Sequence, residues 1–341
     1  MKAAVYYGKK DIRVTDVPIR EVGKDDVLIR VKYCGVCGTD IHIYNGDGGS
    51  SEVVPPLIPG HEFSGIIESV GDEVTKFKKG DRVSVDPNSL CGECYFCRNA
   101  MPHFCEDHIG IGTTLDGAFS EYITVPASMV YRISNQISFL EAAMAEPLSC
   151  CLHGLDLCEI QSGDTVLIIG GGPIGMIMLQ LARHAGAGQL ILSEPVPEKR
   201  EMAVRLGADL VIDPVNENLQ EVLSQKCKNV DKVIECVGSV KLIEQALECA
   251  GKGATVMMFG LAAPGESLPL KPDMVFKKEL KITSSYVNPY TFERALKLLE
   301  NHRIDVTGII SEIIDLDHIS EAFTNPELRK KGKLVVKVDE D

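Results

Sequence analysis

The chain has no basic run or stripe, no low-complexity stretch, no internal repeat and no apolar segment long enough to cross a bilayer. Each absence removes a class of function. Lysine and arginine number 35 against 49 aspartate and glutamate, a formal net charge of −14 at pH 7. Nucleic acids and anionic membranes are held by basic patches, so neither is expected as a partner. Apolar runs such as residues 166–169 fall far short of the ~20 residues that span hydrocarbon. Residues 1–8 read as a strand heading into a turn, not as a secretory leader. With no sign of secretion, the 12 cysteines are expected to be reduced, some as metal ligands. The expected setting is the cytoplasm.

What is present is an ordinary globular composition, 45% hydrophobic and 25% charged, in 341 residues. That length suits two domains. Residues 1–145 carry short β-rich runs at 27–31, 63–70 and 82–85, separated by turns such as Gly71-Asp72 and Gly80-Asp81. This is an all-β, barrel-like pattern. Near residue 146 the texture changes to strands (165–169, 189–192, 210–212, 232–235, 255–259) alternating with helices (173–186, 198–206). Such alternation indicates βαβ units on a doubly wound parallel sheet. From about residue 285 a helical segment, 291–301, and a closing strand, 333–338, look detached from the repeat. They are expected to return to the first domain.

Four cysteines fall within fifteen residues, Cys91-x2-Cys94-x2-Cys97-x7-Cys105, in a loop marked by Asp86-Pro87-Asn88, Gly92 and Met101-Pro102. Thiolates so spaced can close a tetrahedron around one zinc ion, with Zn–S bonds of about 2.3 Å. A disulfide reading is weaker without a secretory signal. An iron–sulfur cluster and plain free thiols remain as alternatives. The first three cysteines copy the spacing of bacterial ferredoxins, but there the fourth follows after three residues with a proline behind it. Here it follows after seven, before Glu106. The preferred reading is a zinc whose four positions are all consumed, so that it is structural.

The apolar strand 165–169 runs directly into Gly170-Gly171-Gly172-Pro173-Ile174-Gly175. This is G-x-G-x-x-G between a buried strand and a helix. Gly170 suits the tight turn, Gly172 the approach of a pyrophosphate, and Gly175 close helix–strand packing. The helix N-terminus, which opens with Pro173, offers the free N–H groups of Ile174 and Gly175 and a positive dipole end to phosphates. Nineteen residues beyond Gly175, Glu194 closes a second strand. A carboxylate there accepts hydrogen bonds from the adenosine ribose and repels a 2′-phosphate. Pro195 follows, where an arginine or serine would suit NADP. NAD is the expected cofactor, and Val237 is placed with these residues among its candidate contacts.

A second constellation is Cys34-Gly35-Val36-Cys37-Gly38-Thr39-Asp40 with Gly60-His61-Glu62. On spacing alone it is only suggestive: Cys34-x2-Cys37 could be a redox pair or half a zinc site, and a His-Glu dipeptide is usually nothing.

Taken in order, Cys37-Gly38-Thr39-Asp40-Ile41-His42, Gly60-His61-Glu62, the four-cysteine loop, Glu146-Pro147-Leu148 and Gly170–Gly175 resemble the medium-chain, zinc-dependent alcohol dehydrogenase family over essentially the whole chain. Glutamate at 146 resembles the sorbitol, butanediol and threonine dehydrogenase branch; ethanol-type enzymes carry cysteine there. The resemblance implies a Rossmann NAD-binding domain at 147–284, set into a β-rich, GroES-like zinc-binding catalytic domain at 1–146 and 285–341, with the active site in the cleft. It makes Cys37 and His61 ligands of a second, catalytic zinc. Glu62 binds directly or acts beside it, and Glu146 binds or holds a zinc-bound water. Thr39 matches the hydroxyl position of a proton relay, and His42 the position where some members place a relay histidine. Their bland alternatives are a turn residue and a surface strand residue. Cys34 has no family role and is read, with Cys150, Cys151, Cys158, Cys227, Cys236 and Cys249, as structural.

Two zincs, NAD and a small alcohol are therefore the expected ligands. Family members are dimers or tetramers, formed partly by pairing Rossmann sheets edge to edge, and the apolar 254–264 segment is compatible with such an edge. The substrate is less legible. Sorbitol dehydrogenases place a substrate-binding arginine where Ser285 stands and a tyrosine where Ile43 stands. Expected is a secondary alcohol flanked by a second hydroxyl, in a polyol or sugar-derived compound. L-Threonine or a related 2-amino-3-hydroxy acid is the alternative, and a catalytically silent binding protein the other.

Overall fold

The structure is a computed structural model that describes residues 1–47 and 53–339. The chain forms two compact units, Met1–Ser149 with Pro289–Asp341, and Cys150–Asn288.

In the 150–288 unit, Val166, Leu167, Ile168, Leu190, Ile191, Leu192, Val233 and Ile234 have no exposed surface. Strands buried on both faces read as continuous apolar runs and belong to parallel sheets. Here they build one six-stranded sheet in the order Leu210–Ile212, Gln189–Ser193, Thr165–Ile169, Lys232–Glu235, Thr255–Met258, Lys281–Ser284, every pair parallel. By position in the chain this is 3-2-1-4-5-6, the doubly wound dinucleotide-binding order, so the expected fold class holds. The switch of direction lies between Thr165–Ile169 and Lys232–Glu235, registered Ile169 to Glu235. Ligands of such sheets sit beyond the carboxyl ends of the strands at that point.

Two features differ from the sequence reading. The sheet has a sixth strand, Lys281–Ser284, whose Lys-Ile-Thr-Ser sequence is too polar to announce itself because it is an outer strand. Residues 254–264 are not the sheet's edge. They supply the interior strand Thr255–Met258, with Val256 and Met257 fully buried.

The other unit is organised by the long strand Asp26–Gly35. It pairs with Glu62–Val70 along its length, with Tyr122–Pro126 over its first half and with Lys333–Lys337 at its end. The sheet continues through Arg82–Val85 to Val130–Arg132 on one side and Ile310–Asp315 on the other. Ile29, Val31, Phe63, Ile67, Val83, Phe119 and Val336 form its core. At the strand's end Gly35 lies opposite Glu62 on one side and Val335 on the other. That register gathers polar side chains at one end of an apolar sheet.

Candidate active site

Cys37, one residue beyond Val36 at that strand end, is the N-cap of the helix Gly38–Asn45. Asp40 closes the cap: its Oδ2 accepts the Cys37 N–H at 2.8 Å. That cap places the Cys37 sulfur at the start of the helix, beside its first turn. The other oxygen of Asp40, wholly buried, accepts the Gly60 N–H at 3.3 Å and lies 3.6 Å from His61 Nδ1. A carboxylate behind an imidazole fixes ring orientation and basicity, the usual outer support of a metal-binding histidine. Burial alone would push His61 down, but Asp40 and Cys37 override it and hold the imidazole well above its ordinary value. The surroundings are built to take up positive charge.

The donor atoms of Cys37, His61 and Glu62 all lie within 4.8 Å of one another. One thiol, one imidazole and one carboxylate suit zinc and leave room for a substrate ligand. Glu146 is buried in the first turn of the helix Ala145–Cys158 and lies outside that group. Glu62, 1% exposed, is ion-paired through Oε2 with Lys333 Nζ, itself 5% exposed. Neither Asp40 nor Lys333 was singled out from the sequence.

Thr39 and His42 are not turn and strand residues, since both lie on the helix Gly38–Asn45. Three residues apart, they share one helix face. Both are half-buried, and His42 Nδ1 faces Asp47 at 3.8 Å. Cys34 is fully buried and its thiol is held well above its usual value by that burial. Burial likewise pushes the Cys158 and Cys249 thiols up to about 12, the behaviour of inert packing residues.

The four-cysteine loop folds on itself. Cys91, Cys94, Cys97 and Cys105 place their sulfurs within 4.8 Å of one another, with Cys91 to Cys105 at 3.4 Å, and none of the twelve cysteines is disulfide-bonded. Backbone N–H groups point at the sulfurs: Cys91 N to Cys105 Sγ and Cys94 N to Cys91 Sγ at 3.3 Å, Cys97 N to Cys94 Sγ at 3.5 Å. The N–H groups of Cys97 and Glu106 bring Cys94 down to about 6, while desolvation and the neighbouring thiols push Cys97 up to about 12. Four converging sulfurs fit zinc.

At the switch point, Gly170 has φ +99°, and a Cβ there would lie 2.5 Å from Val237 Cγ2. A Cβ at Gly175 would overlap the Gly170 carbonyl, whereas one at Gly172, the N-cap of Pro173–His184, meets nothing within 4 Å. The open space therefore lies where a pyrophosphate approaches. Val237 is held from behind: its N–H donates to Glu235 Oε1 at 2.8 Å. Glu194, 5% exposed, accepts the Gly171 N–H at 2.7 Å and the Val196 N–H at 2.9 Å. Arg200, also missed, is spent elsewhere. Its Nη1 donates to the Glu194 and Pro195 carbonyls at 2.8 and 2.7 Å, and its Nη2 pairs with Asp213 at 3.0 Å.

Residues 23–135 match the alcohol dehydrogenase GroES-like domain and residues 173–301 the zinc-binding dehydrogenase domain. D-Arabinitol dehydrogenase 1 of Uromyces fabae is 32% identical over 340 residues, covering 98% of this chain and 96% of that protein. The chain belongs to the zinc-dependent alcohol dehydrogenase family. L-Threonine 3-dehydrogenase of Anaeromyxobacter sp. (strain Fw109-5) is 34% identical over 328 residues, 95% of this dehydrogenase and 94% of the relative. A Sinorhizobium meliloti 1021 protein solved as a zinc-binding dehydrogenase with NADP bound superposes with a TM-score of 0.95 at 36% identity, covering 99% of each chain. Among the described residues, no helix of this dehydrogenase is long and apolar enough to cross a membrane.

Proposed function

We propose that this dehydrogenase interconverts a secondary alcohol flanked by a second hydroxyl, in a polyol, vicinal diol or sugar-derived compound, with its ketone, using NAD. The observation that carries the reading is the grouping of Cys37, His61 and Glu62 within 4.8 Å, in a chain that also carries the glycine turn and Glu194. Cys37 and His61 would hold the catalytic zinc with Glu62, and Glu146 would contribute from the helix start. Cys91, Cys94, Cys97 and Cys105 would hold the structural one.

When bound, the catalytic zinc would supply Lewis acidity that lowers the pKa of an alcohol, and NAD would supply the hydride-accepting chemistry. The protein's part is positional. Asp40 anchors the Cys37 backbone and faces the His61 ring. Thr39 Oγ1 would accept the departing alcohol proton as it gives up its own hydroxyl proton, and His42, on the same helix, would deliver a proton to solvent at the far end of that relay. A carboxylate donates less electron density to a metal than a thiolate does, so this donor set would leave the metal able to accept a substrate that chelates through a second oxygen or nitrogen.

Gly170, Gly172, Pro173, Ile174, Gly175 and Val237 would cradle the dinucleotide, with Glu194 at the adenosine ribose. NAD rather than NADP is supported by the buried Glu194 carboxylate, and by Arg200 being committed to Asp213 and backbone carbonyls. The S. meliloti relative was solved with NADP, so the preference is a property to test on this chain. The net charge of −14 supports a small-molecule substrate with no nucleic-acid or membrane partner. We place the protein in the cytoplasm as a homo-dimer or homo-tetramer.

A second reading, oxidation of a 2-amino-3-hydroxy acid, is favoured by the 34% identity to a threonine 3-dehydrogenase. Metal analysis together with NAD+ reduction across polyols, 2,3-butanediol and L-threonine tests both. Two zincs and diol turnover support the first, and two zincs with threonine turnover the second. One zinc and no NAD-linked turnover would leave a silent binding protein.

A further inference from the structure

We propose that Lys333 is a positioning residue for the donor group: its ammonium engages the Glu62 carboxylate and keeps it from serving as a permanent metal donor. The inference rests on the zinc reading above and concerns how this chain tunes that site.

Lys333 begins the strand Lys333–Lys337, whose next three residues, Leu334, Val335 and Val336, are core residues at 2% exposure or less. An ammonium is costly to bury without an anion, so a lysine at 5% exposure in that strand requires a partner. Glu62 is that partner, and both are more than nine-tenths buried. Room for the pair comes from Gly35, between their strands. A Cβ there would overlap Glu62 Oε2 and stand 3.0 Å from Lys333 Cε. Among the described residues, the charges of Cys37, Glu146 and Cys34 also reach Lys333.

Glu62 therefore has two competing partners. It is a member of the group that would hold the metal, and it is the counter-ion of a buried lysine. A carboxylate shared with an ammonium donates less charge to a cation and leaves more of the coordination sphere to substrate. Without Lys333, the buried carboxylate would have the metal as its remaining cation.

Cobalt(II) exchanged into the Cys37 site gives a test independent of turnover, because its absorption reports the donor set. Relative to the unaltered chain, Lys333→Met should alter the cobalt spectrum toward an added oxygen donor and slow metal loss to a chelator at least tenfold. The catalytic constant should fall at least tenfold, and Lys333→Arg should restore much of each. Should Lys333→Met not fold, Glu62→Gln/Lys333→Met, which removes both buried charges, is compared with Glu62→Gln alone. Matching spectra and release rates support a lysine that acts only through Glu62. A tenfold difference between those two overturns the proposal, as does a Lys333→Met spectrum identical to the unaltered one. Lack of any single-thiolate cobalt band in the unaltered chain would instead overturn the zinc reading on which the inference rests.

Discussion

Glu194 Oε2 accepts the N–H of Gly171 at 2.7 Å, so the carboxylate assigned to the cofactor's ribose is tied to the turn assigned to its pyrophosphate. The two halves of the proposed dinucleotide site share a hydrogen bond.

Removing that carboxylate should change selectivity more than catalysis. Glu194→Ala is expected to raise the kcat/KM ratio for NADP over NAD by about tenfold or more, roughly 1.4 kcal/mol. Steady-state kinetics with both cofactors measures it. An unchanged ratio would remove Glu194 from the ribose site.

Asp40 holds the backbone of Cys37 and faces the ring of His61. Loss of such outer support typically costs ~10–100-fold in metal affinity. Asp40→Ala should therefore release catalytic zinc on dialysis while the four-cysteine loop keeps its own. Full retention of both metals would show that Cys37 and His61 are positioned without it.

Replacing Cys97 or Cys105 by serine should lower thermal stability and remove about one metal per chain, because a structural zinc contributes its binding free energy to folding. Calorimetry with metal analysis decides this. A variant of unaltered stability with a changed catalytic constant would contradict a structural role.

Lys278 caps a helix from outside it. Its Nζ donates to the Glu248 and Ala250 carbonyls at 2.8 and 2.7 Å, at the end of Val240–Cys249. A charge-assisted cap at a helix C-terminus is worth about 1–3 kcal/mol. Lys278→Met should speed hydrogen exchange in the last turn of that helix with no change in NAD affinity. Exchange at the original rate would show that the carbonyls find other donors.

Much of this was legible beforehand, for identifiable reasons. The parallel sheet declares itself because strands buried on both faces must be apolar throughout, as residues 166–169 are. The glycine turn and the cysteine loop are local, so their spacing survives in the sequence. Asp40 was hidden because a capping aspartate looks like any other after a turn. Lys333 was hidden because its partner lies 271 residues away, from 62 to 333, and only strand pairing joins them. Thr39 and His42 sit on a helix of eight residues, too short for periodicity to show, preceded by glycines that suggested a turn. Lys281–Ser284 escaped because an outer strand need not be apolar.

The arrangement around Asp26–Gly35 also bears on biosynthesis. Its partner Lys333–Lys337 leaves the ribosome only after the whole of residues 150–288. Domains tend to fold as they emerge, so the nucleotide-binding unit can be complete while Asp26–Gly35 still has an unpaired end and Glu62 still lacks its cation. On this ordering, the Glu62–Lys333 ion pair is completed late in translation, by a lysine that arrives after almost everything around it.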